Sequence, residues 1–191
     1  MASLDQIGRE EFTEKTTHGF LNIYEHLWES YGFVRDANIT LLEIGIYNGN
    51  SLKTWERWFP NAQIVGIDKY AHKMRPELGN RVHREHGDQA DPAFLQTVVD
   101  RYGDFDIIID DGGHVWEEQQ ISFDFLWKHV KPDGMYICED LHTSLDERLR
   151  GGAEINTVEY FATLAQILGL GAKKNYHSVQ FYSKMVVVIK K

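Results

Sequence analysis

The sequence predicts an α/β fold: a Rossmann-like, doubly wound sheet, mostly parallel, closed by a C-terminal antiparallel hairpin. Short apolar runs alternate five times with amphipathic helical patterns, as parallel strands alternate with crossover helices. Acidic residues follow the carboxyl ends of those runs, at Asp68, Asp88, Asp110-Asp111 and Glu139-Asp140. The last two apolar segments are separated only by Ser183-Lys184, which makes them a hairpin.

Residues 1 to about 17 are polar and read as irregular or peripheral. His18, Phe20, Ile23, Tyr24, Leu27 and Tyr31 recur at mostly helical steps, a stripe that ends before Gly32. Thr40 to Ile46 is an apolar strand, and Leu52 to Phe59 is its helix, stopped by Pro60. Gln63 to Ile67 is a second strand ending in Asp68, and Ala71 to Asn80 reads as a loop with one helical turn. Arg81 to His86 is a third strand leading to Gly87-Asp88-Gln89. Asp91-Pro92 opens a helix with a capping side chain and a proline in the first turn, burying Phe94, Leu95, Val98, Val99 and Tyr102.

Phe105 to Ile109 is the fourth strand, followed by Asp110-Asp111-Gly112-Gly113-His114. The next helix turns Ile121, Phe125, Leu126 and Val130 inward, and Lys131-Pro132-Asp133-Gly134 is a turn before a fifth strand, Met135 to Cys138. Leu141 to Gly152 is charged and ends in glycine, which suits a mobile loop. A helix from about Ile155 stops at Gly169, and Tyr176 to Tyr182 with Met185 to Ile189 form the hairpin.

Composition narrows the class of function. The 191 residues suit one domain spanning 1–191, with 42% hydrophobic and 26% charged residues, ordinary for a globular protein. An excess of 29 acidic over 20 basic residues argues against a nucleic-acid or anionic-membrane partner, since such binding rests on phosphate neutralisation. A single cysteine, Cys138, fits a reducing compartment. Charged residues stand where a signal peptide needs an apolar core, and no run reaches membrane-spanning length, so the expected location is cytoplasmic.

Two constellations carry chemistry. The first strand ends in Glu43-x-Gly45-x-x-x-Gly49 with Ser51 opening the helix, a small-residue turn where a ligand can meet a helix N-terminus. It is not the Gly-x-Gly-x-x-Gly of a dinucleotide turn. Glu43 suits an amine-bearing ligand. Asp68, 23 residues beyond Gly45, can accept both hydroxyls of a ribose, and Asp88 can face an adenine amino group. The second constellation is Asp111-Gly-Gly-His114 with Glu139-Asp140. Three carboxylates without a cysteine or paired histidines favour a hard cation, magnesium first, with manganese or calcium as substitutes. An imidazole is the side chain suited to proton transfer near neutral pH, so His114 is a candidate general base, while a metal orients an acceptor hydroxyl and lowers its pKa. His142 is a second candidate base, and Trp116 a candidate wall for the acceptor.

The glycine turn with Glu43, Gly66-Ile-Asp68 and Gly87-Asp88-Gln89 resembles class I S-adenosylmethionine-dependent methyltransferases, from about Thr13 to the final hairpin. The resemblance implies that Glu43 lies near the methionine amino group and that Gly45 and Gly49 cradle the cofactor. Asp68 would hold the ribose, Asp88 and Gln89 would border adenine, and Ser51 and Asp110 join the cofactor set. Ile107 to His114, Cys138-Glu-Asp140, Thr13-Glu-Lys15 and His18-Gly-Phe20 are similar to the metal-dependent sugar O-methyltransferases of macrolide and related glycoside tailoring. That similarity implies magnesium on Asp111, Glu139 and Asp140, His114 as base, and a small-molecule hydroxyl as acceptor. Two departures leave the acceptor open. The macrolide enzymes carry an added N-terminal domain without counterpart here, which leaves room for a homo-oligomer to complete the pocket, and His142-Thr-Ser144-Leu145 replaces a segment where relatives place an aromatic residue. The competing readings are an NAD(P)-dependent oxidoreductase and a catalytically silent cofactor-binding subunit.

Overall fold

A computed structural model describes residues 2–70, 75–171 and 175–191. Seven strands form one sheet: β1 (Thr40–Ile44), β2 (Gln63–Asp68), β3 (Val82–His86), β4 (Phe105–Asp110), β5 (Val130–Cys138), β6 (Tyr176–Tyr182) and β7 (Met185–Lys190). Their order is β3-β2-β1-β4-β5-β7-β6. The first five are parallel, and β7 runs antiparallel between β5 and β6. The order reverses between β1 and β4, so their carboxyl ends diverge into a crevice where ligands bind in such sheets.

Alternation along the strands explains the two layers. Leu41, Ile64, Ile107, Met135 and Val187 face one layer, with Leu4, Ile7, Tyr24, Trp28 and Trp55 packed against them. Leu42, Val65, Ile108, Tyr136 and Val188 face the other, with Leu95, Val98, Phe123 and Phe161. The first layer is made by α1 (Leu4–Glu10), α3 (Phe20–Ser30) and α4 (Asn50–Trp58), the second by α5 (Pro92–Tyr102), α6 (Trp116–Leu126) and α7 (Thr157–Gly169). Asp91 caps α5 by accepting from the Ala93 amide, and Asn156 with Glu159 forms a capping box on α7. Among the described residues no helix is long and apolar enough to cross a membrane.

Several expectations are corrected. Residues 2 to 17 are neither irregular nor merely peripheral: α1 buries Leu4 and Ile7, and a one-turn helix α2 (Lys15–His18) buries Lys15. The first long stripe loses His18, because left-handed Gly19 separates α2 from α3, and gains Leu21 and Trp28. On α6 the buried face is Trp116, Gln119, Ser122, Phe123 and Leu126, while Ile121 and Phe125 are half-buried. Polar Gln119 and Ser122 are inside because they find buried partners, which a hydrophobic period cannot show. Lys131 to Gly134 is not a turn ahead of the strand but its bulged first half: Lys131 Nζ donates to Asp106 at 2.7 Å and the β4–β5 register shifts there. Leu141 to Gly152 holds two 3-10 turns, Leu141–Leu145 and Glu147–Leu149, that bury Leu141 and Ser144. The helical turn expected within Ala71 to Asn80 lies partly outside the described residues, and residues 75–80 carry no helix.

Candidate active site

The strand ends are tied to one another by backbone bonds. Gly45 N–H donates to Ile67 O at 2.9 Å, Asp111 N–H to Ile44 O at 3.0 Å, and Glu139 N–H to Asp110 O at 2.9 Å. Gly45 has φ +80° and lies so close to the next loop that a Cβ there would stand 2.0 Å from the Asp111 carbonyl oxygen. A cavity of about 490 Å³ opens above these ends, and Lys15, Gly45, Ser51, Asp68, Asp88, Gln89, Asp111, His114, Glu139 and Asp140 are among its lining.

One end of the cavity is built by β1, β2 and β3. Asp68 accepts from the Ile46 and Tyr47 amides at 3.0 Å each and from the Tyr70 amide at 2.8 Å, which fixes its carboxylate at the rim. Asp88 accepts from the Ala90 amide and pairs with Lys69 at 2.7 Å. Burial pushes its carboxyl up, but Lys69 and that amide outweigh it and hold the pKa below the usual value. Lys69 was missed by sequence reasoning; its signal was its place directly after a strand-end acid.

Glu43 and Gly49 do not line the cavity. Glu43 is fully buried, accepting from Ser51 Oγ at 2.7 Å and Trp55 Nε1 at 3.1 Å, so it braces the start of α4 rather than facing a ligand directly. Gly49 has φ +82° and forms the N-cap of α4. Asp110 is likewise absent from the lining. Its carboxylate accepts from Ser122 Oγ at 2.7 Å, Tyr136 OH at 2.8 Å and Gln89 Nε2 at 3.0 Å. Burial raises its pKa against those three bonds. Through Gln89, whose Oε1 accepts from the Gly113 amide at 2.8 Å, Asp110 orients the loop that carries Asp111 and His114.

The other end of the cavity is acidic. Donor atoms of Asp111, His114 and Asp140 all lie within 4.8 Å of one another. His114 and Asp140 hold left-handed backbone, with φ of 56° and 54°. Asp140 Oδ1 and His114 Nδ1 are buried without a hydrogen-bond partner among the described residues. Hard carboxylate oxygens beside an imidazole, with one buried acceptor left open, fit a divalent cation. Glu139 lines the same cavity outside this trio: its Oε1 accepts from Lys15 Nζ at 2.7 Å and from the Tyr24 hydroxyl. Burial and Asp111 push its pKa up to about 8, against the pull of Lys15 and Tyr24.

Lys15 is the second residue that sequence reasoning missed as a site residue. Its ammonium lies 2.6 Å from Asp111 Oδ2, 2.7 Å from Glu139 Oε1 and 3.4 Å from Glu43 Oε1. Burial opposes its charge, yet the three carboxylates hold its pKa well above the ordinary value. The available signal was charge balance, since several acids converging on one sheet edge call for an internal cation. His142 is half exposed, outside the lining, with Nδ1 3.7 Å from Asp140 Oδ1. Trp116 is buried and donates to Thr143 O at 3.0 Å; it braces the loop after β5 and does not line the cavity.

No protein-family model matches the chain. A solved structure of MycE methyltransferase from the mycinamycin biosynthetic pathway, in complex with Mg, SAH and mycinamycin VI, superposes with a TM-score of 0.87 at 29% identity, covering 99% of this chain and 53% of that one. This is a methyltransferase fold. Sequence comparison agrees. Mycinamicin VI 2''-O-methyltransferase of Micromonospora griseorubida is 36% identical over 150 residues, covering 74% of this chain and 36% of the relative. The 8-demethyl-8-(2-methoxy-alpha-L-rhamnosyl)-tetracenomycin-C 3'-O-methyltransferase of Streptomyces olivaceus is 37% identical over 134 residues, covering 66% of this chain and 33% of the relative. The homologues of this methyltransferase-fold chain are therefore sugar O-methyltransferases of natural-product pathways, and the chain spans about a third of the length of these curated relatives.

Proposed function

We propose that the chain is a magnesium- and S-adenosylmethionine-dependent O-methyltransferase acting on a hydroxyl of a small molecule, a glycoside first. The observation that carries this reading is that one cavity joins Gly45, Asp68, Asp88 and Gln89 to the Asp111, His114 and Asp140 cluster. A methyl donor seated at one end faces an acceptor seated at the other. The activities of the homologues support the same transfer.

Ser51, Asp68, Asp88 and Gln89 would bind the donor, with Gly45 leaving room for it and Glu43 and Asp110 bracing them from behind. Asp111 and Asp140 would hold the cation, with the second oxygen of Glu139 as a further donor. When bound, the cation would supply charge that orients an acceptor hydroxyl and eases its ionisation. His114, with Nε2 3.6 Å from Asp140 Oδ2 and 3.9 Å from Asp111 Oδ1, accepts the hydroxyl proton, and the two carboxylates stabilise the imidazolium that results. Manganese or calcium suits the same oxygen donors. A single, buried cysteine supports a reducing, cytoplasmic setting.

Calorimetric titration with S-adenosylmethionine and, separately, with NAD tests the cofactor assignment. Heat of binding is expected with the sulfonium donor alone; heat with NAD alone would instead support the oxidoreductase reading.

A further inference from the structure

The cluster of Glu43, Asp111 and Glu139 converges on a single ammonium. Lys15 Nζ takes Asp111 Oδ2 and Glu139 Oε1, one oxygen of each. The other oxygen of Asp111, Oδ1, faces His114. The same Nζ is the ion-pair partner of Glu43 Oε1, a buried oxygen with no hydrogen bond among the described residues. The side chain of Lys15 is only 5% exposed, so these contacts are not made in bulk water.

The segment that leads into Lys15 is anchored. Asn50 Nδ2 donates to Phe12 O at 2.9 Å, and Arg57 pairs with Glu10 and Glu11 at 2.6 Å each. Gly8 admits the close crossing of α3: a Cβ there would meet the Leu21 side chain at 2.2 Å. The N-terminal segment is thereby fastened to α4, the helix that begins at the glycine turn.

We propose that Lys15 is a positioning residue for the cation site, an internal counter-charge that shares Asp111 and Glu139 with the divalent ion. The inference rests on the reading that a divalent ion is held beside Asp111 and Asp140. An ammonium 2.6 Å from a ligand carboxylate repels an incoming cation and leaves that carboxylate a weaker donor. It also keeps the acids packed when no ion is bound, because two buried carboxylates and Asp111 would otherwise repel one another. The ion is thus held exchangeably. Through Glu43, which holds Ser51 and Trp55, the same ammonium links the acidic end of the cavity to the start of α4.

Binding of Mn²⁺ followed by the electron paramagnetic resonance of the free ion tests this without any turnover. Wild type, Lys15→Met, Lys15→Arg and Asp140→Asn are compared. Lys15→Met is expected to bind Mn²⁺ more tightly by about tenfold or more, the order expected for removing a unit charge beside the site. Lys15→Arg, which keeps the charge, should stay near the wild-type affinity. A purely structural lysine would instead make both variants bind more weakly. Equal or weaker binding by Lys15→Met overturns the inference, and so does equal tightening in Lys15→Arg. Lys15→Gln, neutral but still a donor to both carboxylates, carries the comparison if Lys15→Met does not fold. Asp140→Asn separates the two readings: if it binds Mn²⁺ as wild type does, the cation site itself is misplaced, whatever the Lys15 variants do.

Discussion

The imidazole Nε2 of His114 stands 3.6 Å from Oδ2 of Asp140, and both residues hold left-handed backbone. Histidine and aspartate visit that region more readily than most residues, and such conformations cluster at functional sites. The two conformations turn both side chains back over the sheet edge, into one cavity.

His114→Ala is expected to lower kcat by about 100-fold or more, the usual range for losing a positioned general base. Affinity for S-adenosylmethionine should hardly change, because His114 stands at the acidic end. Steady-state kinetics beside calorimetry checks both; unchanged kcat would move the base elsewhere, with His142 next in line.

Asp140→Asn should abolish stimulation by magnesium while leaving the fold intact, since Asp140 is partly exposed and its Oδ1 has no hydrogen-bond partner among the described residues. Activity measured against magnesium concentration, with circular dichroism as control, reads the effect. A magnesium response equal to that of wild type contradicts the assignment.

Asp110 orients the His114 loop from below through Gln89, so its partners should matter for stability as well as turnover. Tyr136→Phe removes one donor to a buried carboxylate and is expected to cost about 1–3 kcal/mol. Urea denaturation measures it. No loss at all would mean that Ser122 and Gln89 satisfy the carboxylate by themselves.

Stability of the metal-free chain should fall as pH rises. Burial raises the pKa of Glu43, Asp110 and Glu139, so the folded chain keeps their protons where the unfolded chain has released them. That contribution is full below the unfolded value and is lost as pH climbs through the folded one; for Glu139 the window runs from 4.5 to about 8. Melting temperatures between pH 5 and pH 8.5, about the span of that window, should decline, and Glu139→Gln should flatten the decline. A melting temperature that rises across the window in both proteins would contradict the assignment.

Much of this architecture is legible in the chain because parallel strands are apolar throughout and end in marked turns. Asp91-Pro92 announces its helix, and the acids at Asp68, Asp88, Asp111 and Asp140 point to one edge by topology alone. What stayed hidden depends on packing across long separations. Lys15 belongs to a polar N-terminal stretch with no visible partner in sequence, yet it reaches Glu139 across 124 positions. Gln119 and Ser122 break the apolar stripe of α6 because their partners, Thr157 and Asp110, lie on other elements. Glu43 and Asp110 look like ligand-facing acids, but buried donors claim them first.

The most direct test of the central claim is transfer of a labelled methyl group from S-adenosylmethionine to a panel of glycoside hydroxyls, with magnesium and with EDTA. The expected result is a labelled O-methyl ether on at least one glycoside, lost with EDTA and restored by added magnesium. A methylated product formed equally well in EDTA, or a product methylated on nitrogen or carbon, would contradict it.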